Sequence, residues 1–148
     1  DNSLISKRMY RNMIKPYHKR QYQWVKRNYP KVKVFLHSCG SIINLIPDLI
    51  EAGVQILNPV QLSAGGMDPA TLKEQFGDDL VFWGGGIDTQ QTLTHGSLEE
   101  IDEEVKRLVG IFKKGGGFVF TQVHNIQANI QPEKIVKLYD AAYKYGKY

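Results

Sequence analysis

The sequence predicts an α/β protein: one helix, then four strand–helix units with their strands parallel in a single sheet. Three observations carry that class. Short apolar runs alternate with segments of helical period along all 148 residues. Each run is continuously apolar, as strands of a covered parallel sheet or a barrel lining are, and does not alternate with polar residues. Cap and turn residues fall at the boundaries between them.

The elements follow in order. Ser6 is placed to cap a helix running to about Asn28, with Met9, Met13, Ile14, Tyr17, Trp24 and Val25 as its apolar stripe. Pro16 kinks or splits it. "VKVFLHS" is the first strand, and "SIINLIPDLIEAG" is helical by period and closed by Gly53. "VQILNPV" is the second strand. In "DPATLKEQFG", Asp68 caps, Pro69 opens and Gly77 stops a helix. "LVFWGGG" is the third strand. Ser97 and Glu100 make a capping box for a helix ending at Gly115, its acids early and its lysines late, as the helix dipole prefers. "GFVFTQV" is the fourth strand, and Pro132 opens a last helix ending near Gly146.

Four parallel strands cannot close, whereas a parallel barrel takes eight. The chain is therefore expected to be a fragment, a half-barrel that pairs with a copy of itself, or a small open sheet. Its Asp-Asn-Ser start, without Met, favours the fragment. No linker or low-complexity segment interrupts residues 1–148, read as one domain. Apolar content of 42% and charged content of 23% are globular values. No apolar run has the length of a membrane span, and no signal peptide is visible. The single cysteine leaves no intrachain disulfide to form, so the expectation is cytoplasmic.

Charge is uneven. Residues 1–33 hold ten Lys and Arg against Asp1, a net of +9, and residues 34–148 hold nine against fourteen acids, a net of −5. A basic segment can bind nucleic acid. Here Tyr10, Tyr17 and Trp24 recur every seven residues on one helix face, which favours a solvated outer helix and no nucleic-acid partner.

Chemistry in parallel α/β folds sits at the carboxyl ends of strands. Those ends read "HSCG", "NPVQ" with Asn58 and Gln61, "GGGIDTQ" with Asp88 and Gln90, and "TQVHNIQ" with Gln122, His124 and Asn125. All four are polar, while the opposite ends are ordinary turns. The asymmetry points to an enzyme or a small-molecule site. Gly84–Gly86 follows a strand, where it can admit a ligand to the backbone. No Lys-Ser/Thr or GxGxxG accompanies it as a phosphate cradle would require.

His37 and Cys39 lie two apart at a strand end, hence on one side. Imidazole and thiolate suit Zn²⁺, whose catalytic sites take three protein ligands and leave one position open. His124 is the leading third ligand. His18 and His95 are poorly placed. The other reading is a packed histidine beside an inert cysteine.

"FLHSCGSIINLIPDLIEAGVQILNPVQ", "FWGGGIDTQQTL" and "GGFVFTQVHNIQANIQPEKI" together resemble the uroporphyrinogen decarboxylase superfamily, in order and over nearly the whole chain. The resemblance implies a (β/α)8 TIM barrel of which this chain supplies the C-terminal half, inactive without the N-terminal strands. Two branches compete. The decarboxylases need no metal or cofactor and carry a Gly-His-Gly turn before a Pro-Glu helix start. Here His124 lies in that slot, as Val-His-Asn before Pro132-Glu133. His-x-Cys-Gly is similar instead to the methylcobalamin:coenzyme M methyltransferases and related corrinoid-dependent enzymes. There the His and Cys bind zinc with a later Cys, at the position of His124.

The methyltransferase branch thus implies zinc on His37, Cys39 and His124, and a methyl group moved between a corrinoid on a partner protein and a thiol or O/N-methyl substrate. Asn58, Gln61, Asp88, Gln90 and Gln122 would orient the substrate. Asp88 and Asn58 each have a second reading as turn residues. The alternatives are a uroporphyrinogen III decarboxylase, with His124 and Asp88 on the tetrapyrrole and Cys39 inert, and a non-catalytic half-barrel.

Overall fold

The computed structural model describes residues 5–147. Ser6 caps the first turn, its Oγ accepting from Met9 N at 3.2 Å. Helix α1 (Lys7–Met9) passes through a π-helical turn, Tyr10–Ile14, into α2 (Lys15–Asn28). Pro16 opens α2, where its missing N–H costs nothing.

The buried face of this helix differs from the expected stripe. Tyr10 is buried and Ile14, His18 and Tyr22 are half-buried, whereas Met9, Met13, Tyr17 and Trp24 are exposed. Ion pairing contributes to the difference. Asp48 is buried, and Arg11 Nε reaches its two oxygens at 2.8 and 2.9 Å and Lys15 Nζ reaches Oδ1 at 2.7 Å. Lys15 and Lys19 also bond Glu51, at 2.6 and 3.1 Å. These contacts turn the Arg11–Lys15–Lys19 row onto α3 and the methionines outward.

The sheet is all parallel in the order β1 (Phe35–His37), β2 (Ile56–Asn58), β3 (Val81–Trp83), β4 (Phe118–Val119). The regular ladders are shorter than the apolar runs. Pairing continues beyond them by single bonds, such as Gly84 N to Val119 O at 3.1 Å and Gly86 N to Thr121 O at 2.9 Å. Leu57 and Phe82 point to the helix layer and are fully buried, each gaining about 2–3 kcal/mol from burial. Residues one position away, Phe35, His37, Asn58 and Trp83, share the opposite, open face, as the two-residue period requires.

Helix α3 (Ile46–Ala52) follows a 3₁₀ turn, Ile43–Leu45, and ends at Gly53 as expected. Asp68 caps α4 (Pro69–Phe76), accepting from Thr71 N at 2.8 Å. A short helix absent from the sequence reading, α5 (Thr92–His95), precedes α6 (Leu98–Phe112). Ser97 and Glu100 form the expected capping box. Helix α7 (Pro132–Tyr145) packs on α6, fastened where Asp102 accepts from Lys137 at 2.6 Å and from the Tyr145 hydroxyl. One core lies under β1–β3 against α2–α4, and a second joins α6 and α7. The architecture is half of a TIM barrel. Among the described residues no helix is long and apolar enough to cross a membrane.

Candidate functional site

In the parallel register of β1 and β2, His37 sits directly beside Asn58. Side chains so placed share a face, and the His37 Nδ1–Asn58 Oδ1 distance is 2.5 Å. The Asn58 amide nitrogen donates to the Trp83 carbonyl at 2.8 Å, which fixes the amide with its oxygen toward the imidazole. His37 Nδ1 is therefore the protonated nitrogen, and Nε2 carries a free lone pair. Nε2 lies 3.3 Å from Cys39 Sγ. A chain of contacts from strand β3 through β2 thus aims an imidazole lone pair at the one thiol.

Both members of that pair are exposed on the open face of the half-barrel. The loop that carries Cys39 is held by Gly40 N donating to Gln61 Oε1 at 2.9 Å and by the Ser41 hydroxyl donating to Gly65 O at 2.6 Å.

Loops following all four strands meet at a cavity of about 250 Å³. Cys39 comes from the first, Gln61 and Ser63 from the second, Asp88, Thr89 and Gln90 from the third, Val123 and His124 from the fourth. Five of the eight residues singled out by sequence thus line one space. His37 joins through Cys39 and Asn58 through His37. Gln122 lies apart, accepting from the Tyr139 hydroxyl at 3.0 Å. Asp88 does cap its turn, Oδ1 accepting from Gln90 N at 2.8 Å and Gln91 N at 3.2 Å, and lines the cavity as well.

Ser63 and Thr89 are cavity residues the sequence reading did not name. Each is within two positions of one that was, on the same loop, and that proximity was the available signal. A larger concavity of about 600 Å³ between α5 and α6, lined by His95, Glu100 and Glu104 among others, includes none of the eight.

Two of the glycines after β3 are required by the chain's own packing. Gly84 has φ +129°, and a Cβ there would stand 1.9 Å from the Pro59 carbonyl oxygen. A Cβ on Gly86 would meet the Phe120 ring at 2.5 Å. These contacts set the spacing of the loops around the mouth.

The donor set suits zinc in kind: an imidazole with its outer nitrogen held by an amide oxygen, and a thiol beside it. His124 is exposed on the same cavity as Cys39. Among the described residues no three His, Cys, Asp or Glu side chains converge into a metal-binding group; His37 and Cys39 are in contact at 3.3 Å without a third such side chain beside them.

Four parallel strand–helix units whose strand ends all feed one polar cavity define half of a barrel of the enzyme type. The family model for uroporphyrinogen decarboxylase (URO-D) matches residues 1–145, and the chain belongs to that family. No curated protein matches the chain.

Proposed function

We propose that the chain is the site-bearing half of a zinc-dependent, corrinoid-linked methyltransferase within this family. The observation that carries the reading is the His37–Cys39 contact, with Nε2 left free for a metal by the Asn58 amide. His37, Cys39 and His124 would hold the zinc. Bound there, zinc supplies Lewis acidity, lowering the pKa of a thiol or polarising the heteroatom of an O- or N-methyl donor.

The chain's own groups position the reactants. Asn58 keeps His37 in one tautomer and one orientation. Gln61 steadies the Cys39 loop. Asp88 and Gln90 face the cavity and suit the polar end of a small substrate, and Gln122 lies further out near α7. The cavity of about 250 Å³ takes a small thiol or methylated amine, and a second of about 620 Å³ is also lined by His37, Cys39 and Gln61. The corrinoid would then arrive at the open mouth on a partner protein. A reducing compartment keeps Cys39 a thiol, so we assign the protein to the cytoplasm.

Zinc content tests the reading. We expect about one zinc per chain in the wild type and little in Cys39→Ala. A metal-free wild type that releases CO2 from uroporphyrinogen, once its barrel is complete, would instead establish the decarboxylase.

A further inference from the structure

Strand β2 and the residues just after it serve both members of the His37–Cys39 pair. Asn58, the last residue of the strand, holds the imidazole. Gln61 Oε1 accepts from Gly40 N at 2.9 Å and so tethers the loop that carries the thiol. Between these two contacts the chain turns at Val60, whose φ is +59°. Among the described residues no other residue except glycine has a positive φ. A β-branched residue is among the least suited to that left-handed region, because its γ-carbons crowd the backbone there.

Packing holds Val60 in that state. The residue is 1% exposed and belongs to the core under β1–β3. Gly85, in the loop after β3, lies so close that a Cβ on it would stand 3.3 Å from the Val60 Cβ and Cγ1. The Pro59 carbonyl likewise leaves no room for a Cβ on Gly84. The two glycines form a seat, and the Pro59–Val60 turn sits in it. Strain of this kind persists only where the surroundings over-determine it, and it collects at functional sites.

We propose that Val60 is a positioning residue: its left-handed backbone turns Gln61 onto Gly40 and thereby keeps the Cys39 thiol at the free nitrogen of His37. Its side chain lies in the core, so it acts through Gln61. A residue 60 with negative φ would carry Gln61 away from Gly40. Cys39, exposed on its loop, would then lose its register with the imidazole. The inference rests on the pair and not on a metal, so it is judged separately from zinc binding.

Alkylation of Cys39 by iodoacetamide tests it, in the native protein stripped of metal with a chelator and read by the mass of the Cys39 peptide. The sulfur bonds to the CH2 carbon, iodide leaves, and the thiol proton goes to His37 Nε2. His37→Ala sets the rate of an unassisted thiol, expected about fivefold or more below wild type. Gln61→Leu, and Val60→Pro with φ forced to about −65°, should each fall to within about twofold of that rate. In a His37→Ala background neither should slow it further, because the assistance they remove is already gone. Val60→Gly and Val60→Ala read the strain even where the proline variant does not fold. Glycine takes positive φ freely and alanine does not. Val60→Gly is therefore expected to melt above Val60→Ala and to keep the wild-type rate within about twofold. A Val60→Ala variant as stable as Val60→Gly, a wild-type rate in His37→Ala or Gln61→Leu, or a slowing by Gln61→Leu that persists in full without His37 would each overturn the proposal.

Discussion

Asn58 holds His37: its amide oxygen stands 2.5 Å from Nδ1, and its nitrogen is anchored 2.8 Å away on the Trp83 carbonyl. The pairing is a consequence of register, because the two residues are neighbours across parallel strands. We expect Asn58→Ala to lower zinc affinity by about 10–100-fold, as loss of a ligand's supporting partner does. Stability should fall by only about 1–3 kcal/mol. Competitive zinc titration beside urea unfolding separates the two effects, and equal losses in both would make Asn58 merely structural.

The Asp48 cluster fixes α2 and the π turn before it to α3. Burial raises the Asp48 carboxyl, and the hydrogen bonds of Arg11 and Lys15 outweigh it and leave the group below its ordinary value. Arg11→Met with Lys15→Met strands the buried carboxylate, and the expected cost is about 3–5 kcal/mol at pH 7. Asp48→Asn keeps the shape and should cost less. With both hydrogen-bonding cations gone, burial opposes only the more distant Lys7 at 4.0 Å, so the folded pKa of Asp48 is expected to rise. The double variant's deficit should then shrink as pH falls toward 4, read from urea midpoints.

Asp102 gives an acid-range signature. Hydrogen bonds from Lys137 and the Tyr145 hydroxyl hold its carboxyl down at about 2. A folded pKa below the unfolded one contributes stability above about pH 4 and loses it as pH falls through 2. In Asp102→Asn that part of the acid sensitivity should vanish, leaving a flatter midpoint curve between those values.

Gly84→Ala tests the mouth's framework. A methyl group 1.9 Å from the Pro59 oxygen, at φ +129°, cannot be accommodated without moving backbone. The combined strain and overpacking should cost about 3–5 kcal/mol. Gly110→Ala, in the open within α6, should leave stability equal or higher, since Ala is the better helix former. Thermal melts of the two variants give the comparison.

The caps and strand order were legible because they rest on local chemistry. Ser97 with Glu100, Asp68 with Pro69, and Gly53 each announce an end, and the apolar runs between them are strands. The face of α2 was not legible. A period of 3.6 allows two adjacent rows, and the partner that selects between them, Asp48, lies 33 positions from Lys15. The site was half legible. Polar strand ends marked Cys39, Gln61, Asp88, Gln90 and His124 for one cavity, because a parallel sheet delivers all its carboxyl ends to one side. The role of Asn58 needed the register, which no residue spacing reveals. The packing need for glycine at position 84 was not legible, because the Pro59 carbonyl that a Cβ there would meet comes from the neighbouring strand's loop.

X-ray absorption at the zinc edge of the zinc-loaded chain tests the central claim most directly. One sulfur at about 2.3 Å and two imidazole nitrogens at about 2.0–2.1 Å are predicted, the sulfur lost in Cys39→Ala and one nitrogen in His124→Ala. A zinc shell of oxygen and nitrogen alone, unchanged by Cys39→Ala, would contradict it.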